Sequence, residues 1–147
     1  MMHRLRMISE RCSGCRICEL MCSMVHHDGA FNPRKALIRV EINRTPQIDT
    51  PISEIDIPHV CLQCEPTPCV ESCLPGAFEK DEALEVWKID QELCTGCEAC
   101  LEECQYGMIV MDNDRAMKCD LCDGDPICVR YCPNEALVLS DGRGSNV

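Results

Sequence analysis

Sixteen cysteines stand in a chain of 147 residues, and their spacing divides them without remainder into four groups of four. Group one is Cys12, Cys15, Cys18 and Cys22; group two is Cys61, Cys64, Cys69 and Cys73; group three is Cys94, Cys97, Cys100 and Cys104; group four is Cys119, Cys122, Cys128 and Cys132. Groups one and three share C-x2-C-x2-C-x3-C. Groups two and four share C-x2-C, a longer gap containing proline, then C-V-x-x-C, as in Pro68-Cys69-Val70-Glu71-Ser72-Cys73 and Pro126-Ile127-Cys128-Val129-Arg130-Tyr131-Cys132. The order is an internal repeat of a two-group unit. Three thiolates two residues apart can wrap one loop around one cubane of iron and sulfide, and Gly14 and Gly96 let that loop curl with no side chain in the way.

Other uses of so many thiols fit less well. A disulfide scaffold needs an oxidising compartment. The start Met1-Met2-His3-Arg4-Leu5-Arg6-Met7-Ile8 has neither an apolar leader core nor adjacent arginines, so the expectation is a cytoplasmic chain with reduced cysteines. Structural zinc draws two C-x2-C knuckles from separated places, whereas here four cysteines lie close together, four times over. No quartet lacks a member, so a three-iron cluster is not suggested. The sequence therefore predicts four [4Fe–4S] clusters with all sixteen cysteines as iron ligands. The compact groups match the bacterial ferredoxin signature, whose fourth cysteine serves the other cluster of a pair. Cys18 and Cys22 lie one turn apart on a predicted helix, as Cys100 and Cys104 do, so such a helix sits between two clusters and gives a thiolate to each. Only Cys132-Pro133 keeps the Cys-Pro ending of that signature.

The elements that must position these ligands are short. Strands are predicted over 36–42, 53–57, 83–89, 107–111, 115–118 and 136–139, with Asp112-Asn113-Asp114 as a hairpin turn and Gly142–Asn146 as a frayed tail. The fold class is α+β, with short strands and helices around the clusters. With one Trp, two Tyr and two Phe, the aliphatic core is thin and the clusters are expected to hold the fold. His26 and His27 are expected at a turn or on the surface, the methionines as soft apolar filler, and Trp87 and the tyrosines as core or interface residues rather than relays. Lys118, beside Cys119, is either a solvated lysine or a cation that stabilises a reduced cluster. The formal charge of −11 argues against nucleic acid and suits a solubilising surface or a docking face for a basic partner. No apolar run is long enough to span a membrane.

Over residues 7–140 the chain resembles the four-cluster, polyferredoxin-type subunits of multisubunit oxidoreductases, which pair with molybdenum or tungsten enzymes, hydrogenases or carbon monoxide dehydrogenases. A narrower run, Cys18-Glu19-Leu20-Met21-Cys22-Ser23 with His26 or His27, Asn32-Pro33 and Ala36-Leu37-Ile38-Arg39-Val40, is similar to the iron–sulfur subunits of tungsten-dependent aldehyde oxidoreductases and related benzoyl-CoA reductase subunits. The resemblance implies one domain of tandem or nested two-[4Fe–4S] ferredoxin-type modules, residues 1–22 with 105–147 and residues 61–104, with 23–60 as an insertion. It implies nested ligand sets: Cys12, Cys15, Cys18 with Cys132; Cys119, Cys122, Cys128 with Cys22; Cys61, Cys64, Cys69 with Cys104; Cys94, Cys97, Cys100 with Cys73. The repeat by itself equally allows sequential pairing. The implied partners are a large tungsten or molybdenum pterin subunit that oxidises aldehydes and a FAD/NAD-binding subunit or ferredoxin, in a hetero-oligomer. With four thiolates per cluster no iron stays open to substrate and no residue looks catalytic, so the expected role is one-electron relay. The alternatives are a subunit of a hydrogenase, formate or carbon monoxide dehydrogenase, or a freestanding polyferredoxin. A regulatory cluster protein would need an effector domain that this length does not accommodate.

Overall fold

The computed structural model describes residues 3–140; the predicted tail at Gly142–Asn146 lies outside them. Eight strands pair only in twos, as four antiparallel ribbons. β1 (Arg4–Met7) pairs with β8 (Leu137–Ser140), β2 (Ile38–Ile42) with β3 (Asp56–Val60), β4 (Phe78–Asp81) with β5 (Val86–Ile89), and β6 (Ile109–Asp112) with β7 (Arg115–Lys118). The helices are α1 (Ile17–His26), which carries Cys18 and Cys22, and α2 (Pro68–Glu71), α3 (Ala99–Glu102) and α4 (Ile127–Arg130), which carry one cysteine each, Cys69, Cys100 and Cys128; Cys104, expected on one helix with Cys100, lies just past the end of α3. The chain is thus an α+β fold of short elements around its cysteines.

The ribbons explain where the sequence reading succeeded and where it shifted. The hairpin at Asn113-Asp114 forms as expected, both residues having positive φ (48° and 59°), the conformation that two-residue hairpin loops require. The strand expected over 53–57 begins later: Ile52–Glu54 is a 3-10 turn, and the strand runs through Pro58 to Val60. Proline is tolerated there because its partner Val40 turns its own peptide groups away from the ribbon. The Val40 N–H donates to Glu19 Oε1 at 2.7 Å, and its carbonyl accepts from Arg16 at 3.3 Å. Residues 83–85 form the turn into β5 rather than its start, held by Ala83 and Leu84 N–H groups donating to Asp81 Oδ1.

The helices pack in two pairs, α1 on α4 and α2 on α3. Two apolar cores follow that division. One gathers Leu5, Ala36, Leu37, Ile38, Val40, Val60 and Leu137 with Cys18, Cys22, Cys119 and Cys128; the other gathers Ala77, Ile109 and Ala116 with Cys94 and Cys100. Cysteines are built into both cores, so thiols fill space that aliphatic residues fill elsewhere. The segment between α1 and β2 is pinned by His27, which is buried rather than at the surface. Its ring bonds Asp112 Oδ2 at 2.9 Å and the Lys35 carbonyl at 2.8 Å, while Lys35 also pairs with Asp112. Two polar partners make burial of this imidazole affordable, and the isolated sequence motif shows neither.

Candidate iron–sulfur centres

All sixteen cysteines are free of disulfides, and the fold gathers them into four sets of four, each with three thiols from one group and one from another. Cys12, Cys15, Cys18 and Cys132 line one cavity. Cys73, Cys94, Cys97 and Cys100 line a second. Cys61, Cys64, Cys69 and Cys104 line a third, of about 220 Å³. Cys22, Cys119, Cys122 and Cys128 remain as the fourth set, with three of the four buried; Cys119 is within electrostatic reach of Cys61, Cys128 and Cys22, and Cys128 of Cys22, Cys122 and Cys18.

Local backbone geometry builds these sets. In the compact groups the loop turns through left-handed residues: Gly14 (φ 65°) and Arg16 (φ 59°) in group one, Gly96 (φ 72°) and Glu98 (φ 61°) in group three. A Cβ on Gly14 would lie 2.6 Å from Asp56 Oδ1, and one on Gly96 would overlap the Asp114 carbonyl oxygen. The two glycines therefore serve close approach as well as curl. After the last cysteine of three groups the chain makes the same turn. Its left-handed residue is Gly76, Gly107 or Glu135, and the next N–H donates back to sulfur: Ala77 to Cys73 (3.3 Å), Met108 to Cys104 (3.4 Å), Ala136 to Cys132 (3.2 Å). Group one differs because α1 runs on past Cys22. Cys22 instead accepts from Leu37 N–H at 3.3 Å, fifteen residues on, so the returning strand supplies what a turn supplies elsewhere. Ala116 N–H donates to Cys94 Sγ at 3.4 Å.

This donor set fits iron–sulfur clusters. Burial is the largest cause that pushes the thiols of Cys18 and Cys22 up to about 12 and that of Cys100 to about 11, and it strongly raises those of Cys119 and Cys128 as well. Without a cation these thiols stay protonated at neutral pH. Bound iron would hold them as thiolates, and the backbone N–H groups aimed at sulfur suit that negative charge.

The sets follow one another by electrostatic reach. Cys18 acts on Cys128, joining the Cys12 set to the Cys119 set; Cys61 acts on Cys119, joining that set to the Cys61 set; Cys69 acts on Cys100, joining it to the Cys94 set. Cys15 and Cys97 are the exposed cysteines, and they belong to the two end sets. Two side chains near the sets changed character on folding. His26 is partly buried, with Nε2 3.6 Å from Cys122 Sγ and 3.7 Å from Asp120. Lys118 is buried at 5% exposure rather than solvated. Its Nζ donates to Gln63 Oε1 at 2.9 Å and to the Trp87 carbonyl at 2.5 Å, and it lines the cavity of the Cys61 set although its neighbour in sequence is Cys119. Gln63, buried inside the C-x2-C of group two, also donates to the Cys119 carbonyl at 2.9 Å; no periodicity marks it. Among the described residues no helix is long and apolar enough to cross a membrane.

Residues 60–108 match the family model of the 4Fe-4S dicluster domain. The chain is 36% identical over 140 residues to the polyferredoxin-like subunit of an aliphatic sulfonate oxidoreductase from Pyrococcus furiosus, covering 91% of this chain and 75% of that one. It is 30% identical to the electron transport protein HydN of Escherichia coli, covering 90% and 85% of the two chains. It is 30% identical to hydrogenase-4 component A of the same organism, covering 89% and 78%. A solved benzoyl-coenzyme A reductase active-site complex, BamBC, shares the fold with a TM-score of 0.51 at 24% identity, covering 94% of this chain and 78% of that one. With its thiols gathered in sets and its length shared with such relatives, the chain belongs to the polyferredoxin-like iron–sulfur electron-transfer subunits of oxidoreductase systems, non-catalytic carriers of electrons.

Proposed function

We propose that the chain holds four [4Fe–4S] clusters in a row and passes single electrons along them between a large catalytic oxidoreductase subunit and a second acceptor. The observation that carries this is the succession of four thiol quartets, each within electrostatic reach of the next, with an exposed cysteine in the first and in the last. An electron enters where one end set approaches the surface, crosses two inner sets, and leaves at the other end. The ligand sets are the nested ones, in two modules, residues 1–22 with 105–147 and residues 61–104, with 23–60 inserted between them. The chain's own residues bind the clusters, bury three of the four thiols of the Cys119 set and aim N–H groups at sulfur. A bound cluster supplies reversible one-electron chemistry at a potential set by exposure and hydrogen bonding.

For the catalytic partner, the relatives favour a hydrogenase or another multisubunit oxidoreductase. The tungsten- or molybdenum-dependent aldehyde oxidoreductase is the narrower reading, supported by the run from Cys18 to Val40. The acceptor is a FAD/NAD-binding subunit or a ferredoxin. Anaerobic purification of the native complex with metal analysis tests both levels. About sixteen iron atoms per chain, four per cubane, support the wire, and zinc in place of iron ends it. Nickel in the co-purified large subunit supports the hydrogenase reading, and tungsten or molybdenum the pterin one.

A further inference from the structure

Lys118 is a buried cation whose hydrogen-bond acceptors are all neutral: Gln63 Oε1, the Trp87 carbonyl, and the Cys119 carbonyl at 3.4 Å. A buried ammonium without an anion is strongly disfavoured, and a protein commonly neutralises it or gives it a partner. Glu65 and Glu103 also line this cavity, but both are exposed and neither forms an ion pair with Lys118. What Lys118 does face is the cavity lined by Cys61, Cys64, Cys69 and Cys104.

We infer that Lys118 is the counter-charge of the cluster held by Cys61, Cys64, Cys69 and Cys104, and that it makes this inner cluster the preferred resting place of an electron on the wire. This rests on the four-cluster reading above. An oxidised cubane with its four thiolates carries charge 2−, and one electron from an external reductant takes it to 3− with no bond broken and no proton moved. A fixed positive charge inside low-dielectric surroundings favours the more negative state. Cys119 belongs to the neighbouring set, yet only the backbone carbonyl of that residue bonds the ammonium. Position in the sequence thus points at one cluster and the side chain at another. The effect on the Cys61 set should exceed that on the Cys119 set. Because Gln63 Oε1 also accepts from Trp87 N–H at 3.3 Å while its Nε2 holds the Cys119 carbonyl, the ammonium is held on a scaffold that spans both inner sets.

The test is a potentiometric titration of the reconstituted full chain followed by low-temperature EPR, comparing wild type with Lys118→Met, Lys118→Arg and Gln63→Glu. Cys104→Ser, which exchanges one thiolate of the Cys61 set for an alkoxide, marks that cluster's signal. In wild type the marked cluster should be the first reduced. In Lys118→Met its reduction should become about tenfold less favourable, about 59 mV lower for one electron, with the other three clusters moving less. Lys118→Arg should restore the wild-type order. Gln63→Glu, which places a carboxylate against the ammonium while leaving it in place, should lower the same cluster. If Lys118→Met does not load four clusters, the Gln63→Glu titration decides alone. An unmoved marked cluster, or a larger shift in the Cys119 set, overturns the inference while leaving the wire intact. A wild-type chain without four iron clusters overturns both.

Discussion

At the scale of single residues, the two loop glycines differ from the turn glycines in a way that mutation can read. Gly96 combines positive φ with a backbone oxygen where a Cβ would go, whereas Gly107, also at positive φ, has nothing within 4 Å. Gly96→Ala should therefore cost about 2 kcal/mol or more and lower iron loading, because the carbonyl it meets cannot rotate aside. Gly107→Ala should cost about 1 kcal/mol, the left-handed backbone alone. Iron content and thermal unfolding of the loaded proteins check the pair. Protons tell a second story at this scale. Burial raises the Cys18, Cys22 and Cys100 thiols, so the protonated form persists through neutral pH and each must lose its proton to bind iron. Loading should become more favourable as pH rises from 7 to 9, by about tenfold per unit for each thiol still protonated. Iron bound per chain at fixed iron and sulfide measures it; loading that falls over that range would contradict the sign.

At the scale of elements, α1 carries Cys18 to one set and Cys22 to the next, so a single turn of helix joins two sets. Cys22→Ala should therefore disturb the cluster of Cys119, Cys122 and Cys128 and spare that of Cys12, Cys15 and Cys18. The expected readout is conversion of one cubane to a three-iron form by EPR and Mössbauer spectroscopy. Damage at the cluster of Cys61, Cys64 and Cys69 would indicate sequential pairing instead. Ligand groups were legible because iron–sulfur binding imposes a spacing, and spacing is a property of the chain alone. The hairpin at Asn113-Asp114 and the strand through Ile38–Ile42 were legible for the same local reason, turn chemistry and β-branched alternation. What escaped were features decided by distant partners. β1 and β4 are four-residue strands with charged members, Arg4 and Arg6 in one, Glu79, Lys80 and Asp81 in the other. Each is defined by the strand it meets rather than by its own pattern. The strand predicted over 53–57 stopped short of Pro58 because nothing nearby says that the Val40 N–H is taken by Glu19. The burial of His27, read as a turn or surface residue, and of Lys118, read as either a solvated lysine or a cluster cation, escaped because their partners lie far along the chain, at Asp112 for one and at Gln63 and Trp87 for the other.

At the scale of the whole molecule, charge is unevenly distributed. Between Ile89 and Gln105 stand Asp90, Glu92, Glu98, Glu102 and Glu103 with no lysine or arginine, whereas Arg11 precedes group one and Arg16 lies within it. The formal charge of −11 grows to about −19 once four oxidised clusters each add −2 with their thiolates. Electron exchange with a freely diffusing carrier that has a basic docking face should slow as salt rises, because the Debye length shrinks to roughly 8 Å at physiological ionic strength. Stopped-flow reduction across a salt series checks this, and Glu98→Lys with Glu102→Lys should flatten the slope while Arg16→Glu should not. A rate indifferent to salt in the native chain would assign the acidic surface to solubility alone. The large catalytic subunit should remain bound throughout, since a permanent interface relies on apolar burial.

The exposure of Cys15 and Cys97, one at each end of the row, also decides how the protein ages in air. Oxygen attacks clusters where solvent reaches them, so corrosion should start at the two terminal cubanes, whose Cys15 and Cys97 are exposed, and reach the Cys119 set, with three buried thiols, last. A briefly aerated sample would keep about half its iron and still take up electrons from a small, penetrating reductant. It would nonetheless be dead as a conduit, because both of its contacts with other proteins are gone. Timed air exposure with parallel iron counts and turnover assays should show activity vanishing well before the iron does.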